Sequence, residues 1–166
     1  ITPNLNRLTK EGLYFSNFHP QVSFGTSSDT EFTMATSLLP VKSGSVFINY
    51  SDKEFVSMYK LLKEKGYYTF SMHANTGDFW NRNIMHKNLG YDKFYEKKSY
   101  IDDENIGFGL SDRSFMRQSV EYIKQINEEH KLYYGTIITL SNHTPFSYNN
   151  LFEKLDLTMT VNGTKY

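Results

Sequence analysis

The chain has 166 residues, a length that suits one domain, and its thirteen Tyr and thirteen Phe supply enough apolar surface for a core. Eighteen basic residues balance eighteen acidic ones and there is no cysteine. This excludes a basic footprint for nucleic acid, a polybasic membrane patch, disulfides and thiolate metal sites.

Thr2-Pro3 reads as a helix start, with Leu5 and Leu8 on the apolar face and Gly12 as the stop. Leu13 to Phe18 reads as a short aromatic strand. Gly25 to Glu31 is small and polar, then the chain turns apolar at Phe32, Met34, Ala35 and Leu38. Ser28 and Glu31 stand at capping-box spacing, which predicts a helix starting just after Ser28 and ending near Pro40. Ser45 to Tyr50 reads as a short extended piece. Phe55, Met58, Tyr59 and Leu62 repeat at helical spacing, Gly66 closes that helix, and Tyr67 to Met72 follows as a strand ending at His73. A loop, Ala74 to Asp78, leads into a short helix from Phe79 to Leu89, broken by Gly90, with Tyr91 to Tyr95 extended. Ser111 or Asp112 caps the longest helix, whose inner face is Phe115, Met116, Ser119, Val120, Ile123 and Ile126. Leu132 to Leu140 reads as a central parallel strand buried on both faces. The last twenty residues carry no strong period. No apolar run approaches a membrane span. A start at Ile1 and an abrupt stop at Tyr166 read as a piece cut from a longer protein.

Two helix–strand units predict an α/β fold, a mostly parallel sheet flanked by helices. Ligands of such sheets gather at the carboxyl ends of the strands. His73 and His143 each fall just past a predicted strand, and helices that follow strands begin on that same edge. Ser27 sits where a helix N-terminus favours anions. Its hydroxyl is either an ordinary cap or a nucleophile toward phosphate. Arg82 offers a two-pronged fork for phosphate, or pairs with a nearby acid such as Asp78. Trp80 is either core or a wall over the substrate. Asn75 and Asp78 are loop formers when taken alone.

Four separated segments resemble the extracellular enzyme domain of lipoteichoic acid synthases, phosphoglycerol transferases of the sulfatase and alkaline phosphatase superfamily. They are Thr2 to Leu8 with Gly12 to Phe18, the Gly25 to Phe32 loop, His73 through Phe79-Trp80-Asn81-Arg82, and Leu140-Ser141-Asn142-His143-Thr144-Pro145-Phe146. The resemblance covers nearly the whole chain. It implies a partial alkaline phosphatase/sulfatase-like sandwich spanning residues 1–166 as one domain. It places Ser27 on the nucleophile, which also ligates the metal, and His73, Asn75, Trp80, Arg82 and His143 on substrate-pocket positions. The synthases usually carry threonine at the position of Ser27, and the adjacent Thr26 would be the nucleophile under a one-residue shift. Asn75 stands where they usually have aspartate. Ser28, Asp29, Thr30 and Glu31 after Ser27 depart from the formylglycine sulfatase pattern.

The resemblance further implies a divalent cation, Mn²⁺ or Mg²⁺, whose remaining ligands lie outside this chain. It implies phosphatidylglycerol as donor, a growing polyglycerolphosphate chain as acceptor, and a parent protein anchored by membrane helices at the extracellular face of the bacterial membrane. A hydrolase of the same superfamily and a non-catalytic module that kept the pocket are the two alternatives.

Overall fold

The computed structural model describes residues 3–20, 22–144, 160–161 and 164–165. They divide into two compact units, Ile1–His19 with Phe146–Tyr166, and Pro20–Pro145. In the first, helix α1 (Pro3–Glu11) closes where Gly12 N–H donates to the Leu8 carbonyl. Leu5 and Leu8 are exposed, and so are Leu13, Tyr14, Phe15 and Phe18. The expected strand over Leu13–Phe18 does not form. An extended aromatic segment becomes a strand only with a ladder partner, and none is present among the described residues.

The second unit runs α2 (Ser27–Thr36), α3 (Val46–Asn49), α4 (Met58–Glu64), β1 (Tyr68–His73), α5 (Arg82–Leu89), β2 (Lys93–Tyr95), β3 (Asn105–Ile106), β4 (Gly109–Leu110), α6 (Asp112–Glu129) and β5 (Tyr133–Ile138). Strand order is β2-β1-β5, with both pairings parallel. β3 and β4 form a separate antiparallel pair. In the first unit a hairpin pairs β6 (Thr160–Val161) with β7 (Thr164–Lys165). The rest of the final twenty residues, and Pro145-Phe146 of the His143 segment, lie outside the described residues.

The side-chain alternation of β1 sets the layers. Phe70 and Met72 point to one face, into a core with Phe115 and Ile126 of α6, Leu110 and Leu140. Thr69, Ser71 and His73 point to the other face and are buried there too. On that side α2 to α5 build a second core from Phe32, Phe47, Tyr59, Met85 and Leu89. Tyr133 and Tyr134 of β5 split between the two cores in the same way. The result is a parallel sheet with helices on both faces, as the α/β patterning predicts.

Three expectations change. The central strand is β1, not β5, because β1 has a partner on each side and β5 has one among the described residues. Accordingly β5 is only partly buried. Gly135 on β5 is required by Phe70: a Cβ there would lie 2.3 Å from the Phe70 ring. Within the Ser45–Tyr50 piece Val46–Asn49 is helical, since the Ser45 hydroxyl accepts from Phe47 N–H and caps α3. On α6 the buried stripe is Ser114, Phe115, Ser119 and Ile126, while Met116 and Val120 are exposed. Those two sit about 100° around the helix from Phe115 and Ser119, beyond the face that meets the sheet.

Candidate active site

Ser27 is the first residue of α2 and is exposed. The turn before it is tightly specified. Thr26 has φ 43° and ψ −107°, a strained backbone for a β-branched residue. A Cβ on Gly25 would lie 2.3 Å from Asp29 Oδ1 and 2.8 Å from Ser28 Oγ, both on fully buried residues, so only glycine fits. A directional chain locks the loop to α3: Phe47 N–H donates to Ser45 Oγ, Ser45 hydroxyl donates to Ser28 Oγ at 2.8 Å, and Ser28 hydroxyl donates to the Gly25 carbonyl at 2.7 Å. The expected capping box therefore does not form: Thr26 is the N-cap residue, without a side-chain cap bond. Ser27, Thr30 and Glu31 line a cleft of about 410 Å³ whose other wall includes Tyr59 and the β5 end, Thr136 to Thr139. Thr26 is not in that lining. Ser27 thus lies at the carboxyl edge of the sheet.

His73 ends β1 in register with Ile138, so it opens onto the same edge. Its Nδ1–H donates to the Ile138 carbonyl at 3.0 Å, and its buried Nε2 has no partner among the described residues. Burial, then the nearby Arg82 charge, pushes its pKa down from 6.5 to about 4. At neutral pH this imidazole is uncharged and presents an acceptor lone pair, suited to a ligand hydroxyl rather than to a phosphate oxygen. The folded state holds the neutral form and the unfolded state binds the proton more readily. The stabilisation is therefore complete above pH 6.5 and is lost as pH falls toward 4. In the full-length protein the expected loss across that window is on the order of 3 kcal/mol, read as a falling melting temperature. His73→Gln should flatten that slope, and an unchanged slope in the variant would refute the assignment.

The loop after β1 carries the other candidates. Asn75 is buried; its Oδ1 accepts from Thr76 N–H at 2.7 Å and its carbonyl from Lys97 N–H at 3.0 Å, so it shapes the loop. Trp80 and Asn81 both have positive φ, 57° and 56°, at a 3-10 turn over Phe79–Asn81. Such consecutive left-handed residues are strained and persist because the surroundings hold them. Here Asn81 Nδ2 donates to the Phe47 carbonyl at 3.0 Å, and half-buried Trp80 packs against the helical core. The turn launches α5, whose buried stripe is Arg82, Met85, His86 and Leu89.

Arg82 is 1% exposed and does not pair with Asp78, which accepts from Asn83 instead. Its Nε donates to both carboxylate oxygens of Glu31, at 3.1 and 3.0 Å, and its Nη2 donates to Oε1 at 2.6 Å. Nη1 makes a long bond to the Phe79 carbonyl, 3.4 Å. One edge of the fork expected to grip phosphate is thus committed to Glu31. Glu31 also accepts from His86 Nε2 at 2.9 Å, and His86 Nδ1 accepts from Ser71 hydroxyl at 2.8 Å. Burial opposes ionisation of Glu31, but the His86 and Arg82 hydrogen bonds overcome it and hold the carboxyl at about 2. Burial lowers the His86 pKa against the pull of Glu31. From sequence Glu31 stands out only as a capping partner and as part of the departure from the formylglycine pattern, and His86 does not stand out. Their signal was a helix whose core-facing stripe, residues 82, 85, 86 and 89, holds an arginine and a histidine.

His143 lies five residues past β5, exposed, with its ring edge-on to Phe108 at 5.0 Å and its Nδ1 bonded to the Thr144 carbonyl. The segment leading to it is tied to α6: Asp112 N–H donates to Ser141 Oγ at 2.7 Å, and Leu140 N–H donates to Asp112 Oδ1 at 2.6 Å. Phe108 in turn stands 6.4 Å from Phe79, beside Trp80. The structure thus brings Ser27, His73, Glu31 and Arg82 to one region of the sheet edge, and links His143 to the Trp80 turn through two aromatic rings.

Among the described residues no group of three His, Asp or Glu side chains could hold a metal ion. Ser27 by itself offers one hydroxyl oxygen, so the described residues do not make a cation site.

The family model described as Sulfatase matches residues 1–161. The chain belongs to the sulfatase family. Over 162 residues this sulfatase-family chain is 38% identical to the lipoteichoic acid synthase-like protein YvgJ of Bacillus subtilis, covering 94% of the chain and 25% of that protein. It is 40% identical over 150 residues to lipoteichoic acid synthase 2 of the same organism, covering 88% and 23%. The chain thus spans about a quarter of the length of the curated relatives it matches. Among solved structures it superposes on the lipoteichoic acid synthase LtaP of Listeria monocytogenes with a TM-score of 0.84 at 31% identity, covering 87% of this chain and 36% of that one. A protein of the alkaline phosphatase superfamily from Vibrio parahaemolyticus gives 0.78 at 25% identity, covering 97% and 40%. The fold is that of the alkaline phosphatase superfamily. No helix among the described residues is long and apolar enough to cross a membrane.

Proposed function

We propose that residues 1–166 form part of one sulfatase-like catalytic domain and carry the nucleophile and head-group pocket of a phosphoglycerol transferase. The donor is phosphatidylglycerol and the product a polyglycerolphosphate chain of the lipoteichoic acid type. The observation that carries this reading is Ser27, exposed at the start of α2 and facing the carboxyl end of β5, in a chain whose relatives are named lipoteichoic acid synthases.

Ser27 Oγ attacks phosphorus, the Oγ–P bond forms, the P–O bond to diacylglycerol breaks, and the serine proton ends on the diacylglycerol oxygen. The terminal hydroxyl of the growing chain then attacks the phosphorus of the glycerophosphoryl-serine: the new O–P bond forms, the Oγ–P bond breaks, and the hydroxyl proton returns to Ser27 Oγ. The α2 N-terminus favours the anionic group beside Ser27. Neutral His73 accepts from a glycerol hydroxyl, while Asn75, Trp80 and His143 frame the head group. Arg82, which the resemblance carries to a pocket position, sits behind the cleft wall with its charge met by Glu31. The divalent cation implied by the resemblance, Mn²⁺ or Mg²⁺, would need ligands beyond Ser27 from outside the described residues. A lipid donor would put the reaction at a membrane surface, and the resemblance supports the extracellular face, with the parent anchored there.

The test is product analysis of the full-length protein on phosphatidylglycerol vesicles. Diacylglycerol together with polymeric glycerol phosphate is the expected result. Free glycerol phosphate with no polymer would replace transfer by hydrolysis.

A further inference from the structure

Asp29, the third residue of α2, is fully buried, and its Oδ2 accepts from Ser23 N–H at 2.7 Å, six residues back along the chain. We propose that Asp29 is a positioning residue that holds the Ser23–Thr26 turn against the first turn of α2 and so fixes the Ser27 hydroxyl for attack. The assignment rests on the reading that Ser27 is the nucleophile.

The reach of this side chain is the first support. A carboxylate at the third helical position ordinarily turns back to the N–H of the N-cap residue. Here it passes the N-cap, Thr26, and takes the N–H of Ser23 instead. That bond ties the far end of the turn to α2, where the turn's own closing bond, from Thr26 N–H to the Ser23 carbonyl, is a long 3.3 Å. Contact is the second support. The other carboxylate oxygen, Oδ1, faces Gly25, where a Cβ would lie 2.3 Å away, and it has no hydrogen-bond partner among the described residues. Carboxylate and glycine are fitted to each other, and neither can grow without moving the turn. Strain is the third. Thr26 at φ 43° keeps a backbone that a β-branched residue adopts only under constraint, and it has no side-chain cap bond to hold it there. That bend leaves Thr26 before the helix and makes Ser27 the first helical residue, lining the cleft.

The Ser45–Ser28 link anchors the same turn to α3, but it acts through the Gly25 carbonyl and does not reach Ser23. Only Asp29 spans the turn from end to end among the described residues. A hydrogen bond to a carboxylate is stronger than one between neutral groups, and the helix dipole favours a negative group in the first turn. Both effects suit Asp29 to holding a strained neighbour. Without the hold, Thr26 relaxes and Ser27 Oγ moves with it, and displacement of a reacting atom by about 1 Å is enough to slow attack severely. Asparagine keeps an acceptor oxygen of the same reach; alanine keeps none.

The experiment places the full-length protein in saturating excess over phosphatidylglycerol in mixed micelles and reads the first-order rate constant of diacylglycerol release in a single turnover. At saturation that constant does not depend on the folded fraction, so a role in stability alone leaves it unmoved. Asp29→Ala should lower it about 10- to 100-fold, with KM unchanged because Asp29 does not line the cleft. Asp29→Asn should keep it within about threefold of wild type. An Asp29→Ala rate constant equal to wild type would overturn the assignment. So would an Asp29→Asn protein as slow as Asp29→Ala, since the charge and not the hold on Ser23 would then matter. If Asp29→Ala does not fold, Gly25→Ala, whose added Cβ meets Oδ1, is read in the same way. A wild type that releases no diacylglycerol, or a Ser27→Ala protein that releases it at the wild-type rate, would sink the functional reading and this assignment with it. Release that depends on Ser27 but is untouched by Asp29→Ala would sink the assignment alone.

Discussion

Ser27→Ala in the full-length protein should abolish polymer formation, with a loss of at least about 10³-fold in turnover, while the adjacent Thr26→Ala retains activity. The two hydroxyls are neighbours in sequence but not in geometry. Ser27 is the first helical residue and lines the cleft with Thr30 and Glu31. Thr26 precedes the helix at φ 43° and does not line that cleft. The one-residue ambiguity left open by the sequence thus becomes a difference in placement, and the two variants read it out. Ser27 is exposed, so its loss should shift stability by no more than about 0.5 kcal/mol. Inactivity in a normally melting Ser27→Ala protein then reports chemistry. Full turnover in that variant would remove Ser27 from the mechanism, and loss of turnover in Thr26→Ala alone would move the nucleophile one residue back.

The parts of this chain legible from sequence are those governed by local rules. Gly66 and Gly90, both at positive φ, end α4 and α5 where the breaker signal puts them. Ser111 caps α6 through its bond with Ser114 N–H. The alternation of β1 needs only the twofold period of a strand. What escaped was decided between distant segments. Glu31 has a plausible local partner in Ser28, yet its carboxylate goes to Arg82 and His86, 51 and 55 residues away. Ser28 likewise turns to Ser45, 17 residues on. A capping box is worth about 1 kcal/mol, less than leaving a buried guanidinium unpaired, so the longer-range arrangement wins. Strand order escaped for a related reason. The apolar run of β5 marks a strand but cannot say how many neighbours it has, and β1, with its polar Thr69 and Ser71, takes the centre because each of those side chains finds a buried partner.

Arg82→Ala should cost about 3–5 kcal/mol, because it strands the Glu31 carboxylate in a buried site with only His86 to pair it. Arg82→Lys keeps the charge but cannot reproduce the bonds from Nε and Nη2 together, and should lose about 1–3 kcal/mol. Glu31→Gln/Arg82→Gln removes both charges, so it should be less destabilised than Arg82→Ala even though it alters two residues. The pH dependence gives an independent reading of the same pair. The folded pKa of Glu31, about 2, lies below its ordinary 4.5. The unfolded chain therefore takes up the proton first, and the contribution of the pair is complete above pH 4.5 and lost as pH falls toward 2. Without Arg82, burial is opposed by His86 alone and the Glu31 pKa rises, so the acid loss should begin at higher pH in Arg82→Ala than in the wild type. Denaturant unfolding of the full-length protein between pH 7 and pH 3 measures both effects. An Arg82→Ala protein within 1 kcal/mol of wild type at pH 7, with an unshifted acid limb, would mean that the Glu31–Arg82 pair does not hold α2 to α5, and the cleft beside Ser27 would need another explanation for its shape.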